Sequence, residues 1–153
     1  MIILEDYQII DYRSNNIIDN VIPNKLYIGN SDSNNIRDLE KYKISTVICV
    51  EETPPIKYPG VNYIHIPINE KNPQNLINIF DKTFDIIEHS NTTLVYCYKG
   101  VSRSASVICT YLMKKFNISF QTSINLLRNY RKYVDPNLSI INVIMEYEKY
   151  LKY

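Results

Sequence analysis

Apolar and β-branched positions gather along the chain in short runs at residues 25–28, 46–50, 63–68 and 94–96, each bounded by Gly, Pro, Asn or charge. Runs of that length between turn-forming residues predict short buried strands. The pattern gives four strands, and a fifth if the N-terminal segment contributes one. Between and after them the apolar spacing becomes helical, at 34–41, at 74–88 with Leu76, Ile77, Phe80, Phe84 and Ile87 on one side, and at 104–116. Two more helical stretches, 120–131 and 137–151, follow with no strand between them. In the second, Asn137 after Pro136 is placed to cap the helix, and Ile140, Ile144, Tyr147 and Leu151 line one face. Strands alternating with helices, then helices alone, predict an α/β fold with a central, mostly parallel sheet of four to five strands flanked by helices. No repeat, linker or charge block divides it, so residues 1–153 read as a single domain.

With 45% hydrophobic and 22% charged residues in 153, the chain has enough apolar side chains for a core, which excludes the disordered and fibrous classes. Seventeen basic against 16 acidic residues leave a net charge of +1, so no overall field draws it to nucleic acid or an anionic membrane. Anion affinity has to be local. Three cysteines, Cys49, Cys97 and Cys109, are too few for a disulfide framework and point to a reducing, intracellular (cytoplasmic) compartment. Glu5 and Asp6 sit where a signal peptide would be basic, and no apolar run is long enough to span a membrane. His65 and His89 are isolated and read as packing or capping residues, so no metal site is expected. The 14 Tyr read as core and rim, and Lys71, Lys99, Arg128 and Arg131 as solvated cations that lend local positive potential. Oligomeric state is not legible.

The chemistry concentrates at residues 97–103, between the strand ending at Tyr96 and the helix after it. Cys97, Tyr98, Lys99, Gly100, Val101, Ser102 and Arg103 form a loop of the right length to wrap one tetrahedral anion with successive backbone N–H groups, the helix adding its N-terminus. Gly100 permits a positive φ or a close backbone approach. Arg103 can pair bidentately with two phosphoryl oxygens, as Lys cannot. The same donors would stabilise a thiolate at Cys97 and make it a nucleophile. Alone, a Cys ending a strand is most simply core, as Cys109 is read here; Gly100, Ser102, Arg103 and Ser104 around Cys97 favour a site. Ser104 is equally explained as a helix cap.

With those residues, the sequence resembles the cysteine-dependent protein phosphatases, and within them the small dual specificity type that includes the poxvirus H1-like enzymes. Leu26-Tyr27-Ile28-Gly29-Asn30 is similar to the family's first core strand, Ile66-Pro67-Ile68-Asn69-Glu70 to its general-acid loop, residues 97–104 to its signature loop, and Asp135-Pro136-Asn137 to the start of its last helix. The resemblance implies Cys97 as nucleophile, Arg103 as the phosphate and transition-state ligand, Glu70 as general acid, and Ser104 as the hydroxyl that eases thiolate departure. It implies phosphorylated proteins as substrates, hydrolysed at phosphotyrosine and phosphoserine or phosphothreonine without metal or organic cofactor.

Two positions depart from the family pattern. Tyr96 stands where the family usually has His, which bonds the loop and favours the thiolate, so the resemblance implies a less acidic thiol. Glu70 stands where it usually has Asp, a longer arm that implies slower proton transfer. A further stretch, Val47-Ile48-Cys49-Val50-Glu51, resembles the strand of the phosphatase and tensin homologue lipid phosphatases that carries a second cysteine, and Glu70-Lys71-Asn72-Pro73 resembles their acid loop. That implies a reversible disulfide between Cys49 and Cys97. Other readings stay open: hydrolysis of an RNA 5′-triphosphate or a phosphoinositide, or a low-activity pseudophosphatase that binds phosphorylated partners. Specificity is expected from the surface round the pocket, at residues 52–60 or 69–75, or from a partner.

Overall fold

A computed structural model describes residues 15–69 and 76–152. Five strands, β1 (Ile18–Ile22), β2 (Leu26–Gly29), β3 (Thr46–Cys49), β4 (Asn62–His65) and β5 (Thr93–Tyr96), form one sheet in the order β1-β2-β5-β3-β4. Only β1 runs antiparallel to its neighbour. Its turn back into β2 is set by Asn24, which takes φ 59°, a left-handed conformation that Asn tolerates better than most residues. Helices α1 (Ile36–Lys41), α2 (Leu76–His89), α3 (Arg103–Phe116), α4 (Phe120–Arg128) and α5 (Leu138–Leu151) complete the chain. None of the described helices is long and apolar enough to cross a membrane.

The expected strands and helices are present, with boundaries moved by identifiable residues. β4 ends at His65 rather than 68, because Pro67 offers no N–H to a ladder and Ile68 turns back to donate to the Ile66 carbonyl (2.8 Å). α4 stops at Arg128 rather than 131, and the chain turns so that the Asn129, Tyr130 and Arg131 N–H groups bond back to Leu126 and Leu127 carbonyls. Asn137 caps α5 as expected, its side chain accepting from the Ile140 N–H (3.0 Å).

Strands β2, β3 and β5 are buried along their whole length, so their side chains are apolar on both sides of the sheet. On one face, Ile28, Ile48, Val95 and Cys97 belong to the large core shared with α2, α3, α4 and α5. On the other, Tyr27, Val47, Cys49, Leu94 and Tyr96 form a smaller cluster closed by Leu39 of α1 and by Ile44. This alternation decides which way each residue near the end of β5 points. β5 lies centrally between β2 and β3, so Cys97 is delivered to the carboxyl ends of three parallel strands, where open α/β sheets place their ligands.

Candidate active site

Cys97 follows β5 directly and is 2% exposed, at the floor of the loop. Its Sγ lies 3.1 Å from Oγ of Ser104, in the first turn of α3. Gly100 takes φ 66° and turns the loop at its middle.

The loop's shape is set from outside by its carbonyls. The Tyr98 carbonyl accepts from the Ser31 N–H (3.1 Å), Gly100 from Arg131 Nε (2.8 Å), Val101 from the Asp135 N–H (2.9 Å) and Ser102 from the Ser106 N–H (3.0 Å). No peptide here is cis. In a trans peptide the carbonyl of one residue and the N–H of the next point in opposite directions. Four carbonyls turned to the scaffold therefore turn the N–H groups of Lys99, Val101, Ser102 and Arg103 towards the interior. Such an arrangement can hold an oxyanion above Cys97, with α3 beginning at its rim. Ser102 Oγ accepts from the Asn137 N–H (3.1 Å), which ties the loop to the start of α5.

Arg103 is partly buried, and its NH1 donates to the Ile68 carbonyl (3.1 Å) at the entrance to the expected acid loop. Glu70, Lys71 and the rest of 70–75 lie outside the described residues. Glu51, just beyond β3, is 8% exposed; burial raises its carboxyl above the usual range, while Arg103 and His65 oppose that rise. The sequence reading missed Glu51. Its signal was position, two residues past the end of β3, the partner of the strand that leads into Cys97.

One expectation is corrected here, that of Arg131 as a solvated cation, and Cys49 is placed relative to Cys97. Cys49 pairs with Tyr96 in the β3–β5 register and shares its face of the sheet, bonding to the Tyr96 phenol and, at 3.6 Å, to the Thr53 carbonyl. Cys97 projects from the opposite face, and all three cysteines are free thiols. Burial first, and to a smaller extent the charges of Glu51 and Cys97, raise the Cys49 thiol, so Cys97 lies within electrostatic reach of Cys49 across the β3–β5 pair. Arg131, read as solvated, is 1% exposed and ion-paired to Asp19 of β1 at 2.5 Å. Cys109 is core as expected, and burial pushes its thiol up to about 12.

Tyr96 is 2% exposed, and burial, then its bond to Cys49, pushes its phenol well above the ordinary range. It stays neutral and lends the loop no positive charge. Outside the loop, a cavity of about 970 Å³ shares the wall made by Tyr98, Lys99 and Val101 and runs to Arg128 and Lys132, not to residues 52–60. Among the described residues no group of His, Cys, Asp and Glu is placed to hold a metal.

A family model for the dual specificity phosphatase catalytic domain matches residues 26–150, from β2 through α5 and across the entire site. The chain belongs to the dual specificity phosphatase family. Two Dictyostelium discoideum relatives, each described as a probable dual specificity protein phosphatase, are 36% identical over 130 residues and 35% identical over 132. The matches cover 82% and 84% of this chain but 33% and 61% of those proteins, so the chain spans between a third and three-fifths of their length. Among solved structures, a mouse dual specificity phosphatase candidate complexed with zinc tungstate superposes with a TM-score of 0.79 at 26% identity, covering 89% of each chain. Within the family, the match places the loop of residues 97–103 and the Asp135–Asn137 turn inside the shared domain.

Proposed function

We propose that the chain hydrolyses phosphomonoesters on proteins, at phosphotyrosine and at phosphoserine or phosphothreonine, through a cysteinyl-phosphate. The observation that carries this reading is the set of outward-anchored carbonyls, which leaves a ring of N–H groups over a buried cysteine. Tyr98, Lys99, Gly100, Val101, Ser102 and Arg103 would bind the phosphoryl group, and Arg103 would leave the Ile68 carbonyl to fork onto two of its oxygens. The Cys97 sulfur attacks phosphorus as a thiolate; an S–P bond forms, the ester P–O bond breaks, and Glu70 protonates the leaving oxygen. Water then attacks phosphorus, giving its proton to Glu70. The S–P bond breaks as inorganic phosphate leaves, and the Ser104 hydroxyl, 3.1 Å from the sulfur, donates to the returning thiolate. A reducing intracellular compartment suits such a nucleophile. The family membership and the mouse complex with tungstate, a tetrahedral oxyanion, support this reading.

The test is phosphate release from matched phosphotyrosine and phosphothreonine peptides, with an RNA 5′-triphosphate and a phosphoinositide as competitors for the assignment. Turnover of both peptides is expected. Exclusive turnover of either competitor would replace the substrate class, and peptide binding without turnover would make the chain a binding module.

Two variants probe the chemistry. Glu70→Gln is expected to slow phosphopeptide hydrolysis by about 100-fold, the usual scale for a general acid, but para-nitrophenyl phosphate much less, because nitrophenolate leaves with little help from a proton. Equal losses on both substrates would remove Glu70 from the acid role. Tyr96→His puts an ionisable imidazole where the neutral phenol now lies, within the field of Glu51, which favours the imidazolium. We expect kcat/KM at pH 6 to rise by about 3- to 10-fold, with the gain gone by pH 8 as the imidazolium is lost. A flat ratio across pH would count against it.

A further inference from the structure

Three of the four anchored loop carbonyls are held by backbone N–H groups, from Ser31, Asp135 and Ser106. The Gly100 carbonyl is held by a side chain, Nε of Arg131, and Gly100 is the residue whose backbone turns most freely. Arg131 in turn is fixed from the far side of the loop: NH1 donates to the Asn16 carbonyl (2.8 Å) and to Asp19 Oδ2 (2.5 Å). Its NH2 is buried, makes no hydrogen bond among the described residues, and packs against Gly100, 2.5 Å from where a Cβ would stand there.

This arrangement works in one direction only. If the peptide between Gly100 and Val101 turned over, the Gly100 carbonyl would lose its donor and the Val101 N–H would face a guanidinium, a donor against donors. We propose that Arg131 is a positioning residue that locks this peptide, so that the Val101 N–H faces the bound phosphoryl group. The inference rests on the reading of the loop as an oxyanion cradle. Arg131 acts from behind the loop and touches no substrate. Asp19, from β1, keeps it in place, and charged groups about the loop include Lys99 and Arg103 within it, Asp135 beyond it, Asp32, Arg128 and Lys132 on the cavity that it walls, and Glu51 and His65 near the ends of β3 and β4.

The experiment measures sodium tungstate affinity by calorimetry in a Cys97→Ser background, where binding is read without turnover. Arg131→Met is expected to weaken tungstate binding at least 10-fold, the scale on which one preorganised oxyanion donor matters. Arg131→Lys, which keeps the charge but cannot reach Gly100 and Asp19 together, should weaken it a few-fold with Tm near that of the parent. Asp81→Asn is the control for lost stability. It loosens the pair of phenols, Tyr147 and Tyr150, that bond Asp81 between α2 and α5, and it should lower Tm yet keep tungstate affinity. Undiminished affinity in Arg131→Met overturns the inference, as does parental affinity in Arg131→Lys should the Met variant not fold. An equal loss in Asp81→Asn overturns it too, by making the effect one of stability. Failure of the parent itself to bind tungstate removes the cradle reading and this inference with it, whereas binding that ignores Arg131 removes the inference alone.

Discussion

Cys97→Ser is expected to lower turnover by roughly 10⁵-fold, the scale seen when an enzyme loses its covalent nucleophile. The substitution changes sulfur for a smaller oxygen at a site that is 2% exposed, so packing is barely altered and the loop keeps its anchors. The chemistry changes far more. A serine hydroxyl needs a general base to attack phosphorus, and Tyr96, the residue before it, is a neutral phenol pointing to the opposite face of the sheet. Ser104, 3.1 Å away, is another hydroxyl and offers no base either. The variant should therefore bind phosphopeptide as well as the parent and release no phosphate. Phosphate release and peptide binding, measured on the same preparation, separate the two properties. Residual turnover above about 1% of the parent would place the nucleophile elsewhere, and lost binding would mean that the sulfur also holds up the loop.

Gly100→Ala should be nearly as damaging, by a different route. At φ 66° any L side chain costs about 1–2 kcal/mol. The larger problem is space, because a Cβ at Gly100 would lie 2.5 Å from both the Gly29 carbonyl oxygen and Arg131 NH2. Neither can withdraw. Gly29 ends a strand paired on both sides, and Arg131 is locked by Asp19 and Asn16. The loop must move instead, and displacements of about 1 Å at a reacting centre can cost 100-fold, so with the N–H ring also distorted we expect kcat/KM to fall by roughly 10³-fold or more. Gly60→Ala is the comparison. Gly60 also has a positive φ, 81°, but nothing lies within 4 Å of its would-be Cβ. It should lose a few degrees of Tm and no activity. Equal behaviour of the two variants would contradict the steric account.

Strand and helix positions, the loop and the family were legible because each rests on local information: runs of β-branched residues, the spacing of Leu76, Phe80 and Ile87, and the order of Cys97, Gly100 and Arg103 along a few residues. What was not legible depends on register. The Cys49–Cys97 disulfide is an expectation from the resemblance of residues 47–51 to a strand of the lipid phosphatases, and residue order alone does not say how the two thiols are disposed. Only the pairing of Cys49 with Tyr96 places Cys49 one strand away from the residue that precedes Cys97. Arg131 follows a helical pattern in the chain and looks like a surface cation. Its burial is caused by Asp19, 112 residues earlier, which supplies the countercharge. Glu51 was passed over for the same reason, since its neighbour Arg103 is distant in sequence and near only once β3 and β5 are side by side.

The clamp on the signature loop bears on the life of the chain before it is finished. Cys97 is synthesised long before Arg131, yet the bonds that shape the loop around it join Asn16 and Asp19 to Arg131 across 115 and 112 residues, and Asn15 to Tyr133 across 118. Contacts of such separation form late, because their loop-closure entropy is met only when the intervening elements have packed. A nascent or truncated chain ending short of Arg131 would lack the donor that holds the Gly100 carbonyl and leave the middle of the loop unset. For the hydrolysis proposed above, competence would thus arrive only with the segment that carries Arg131, and a fragment released earlier would be inert rather than a partly active, unselective esterase.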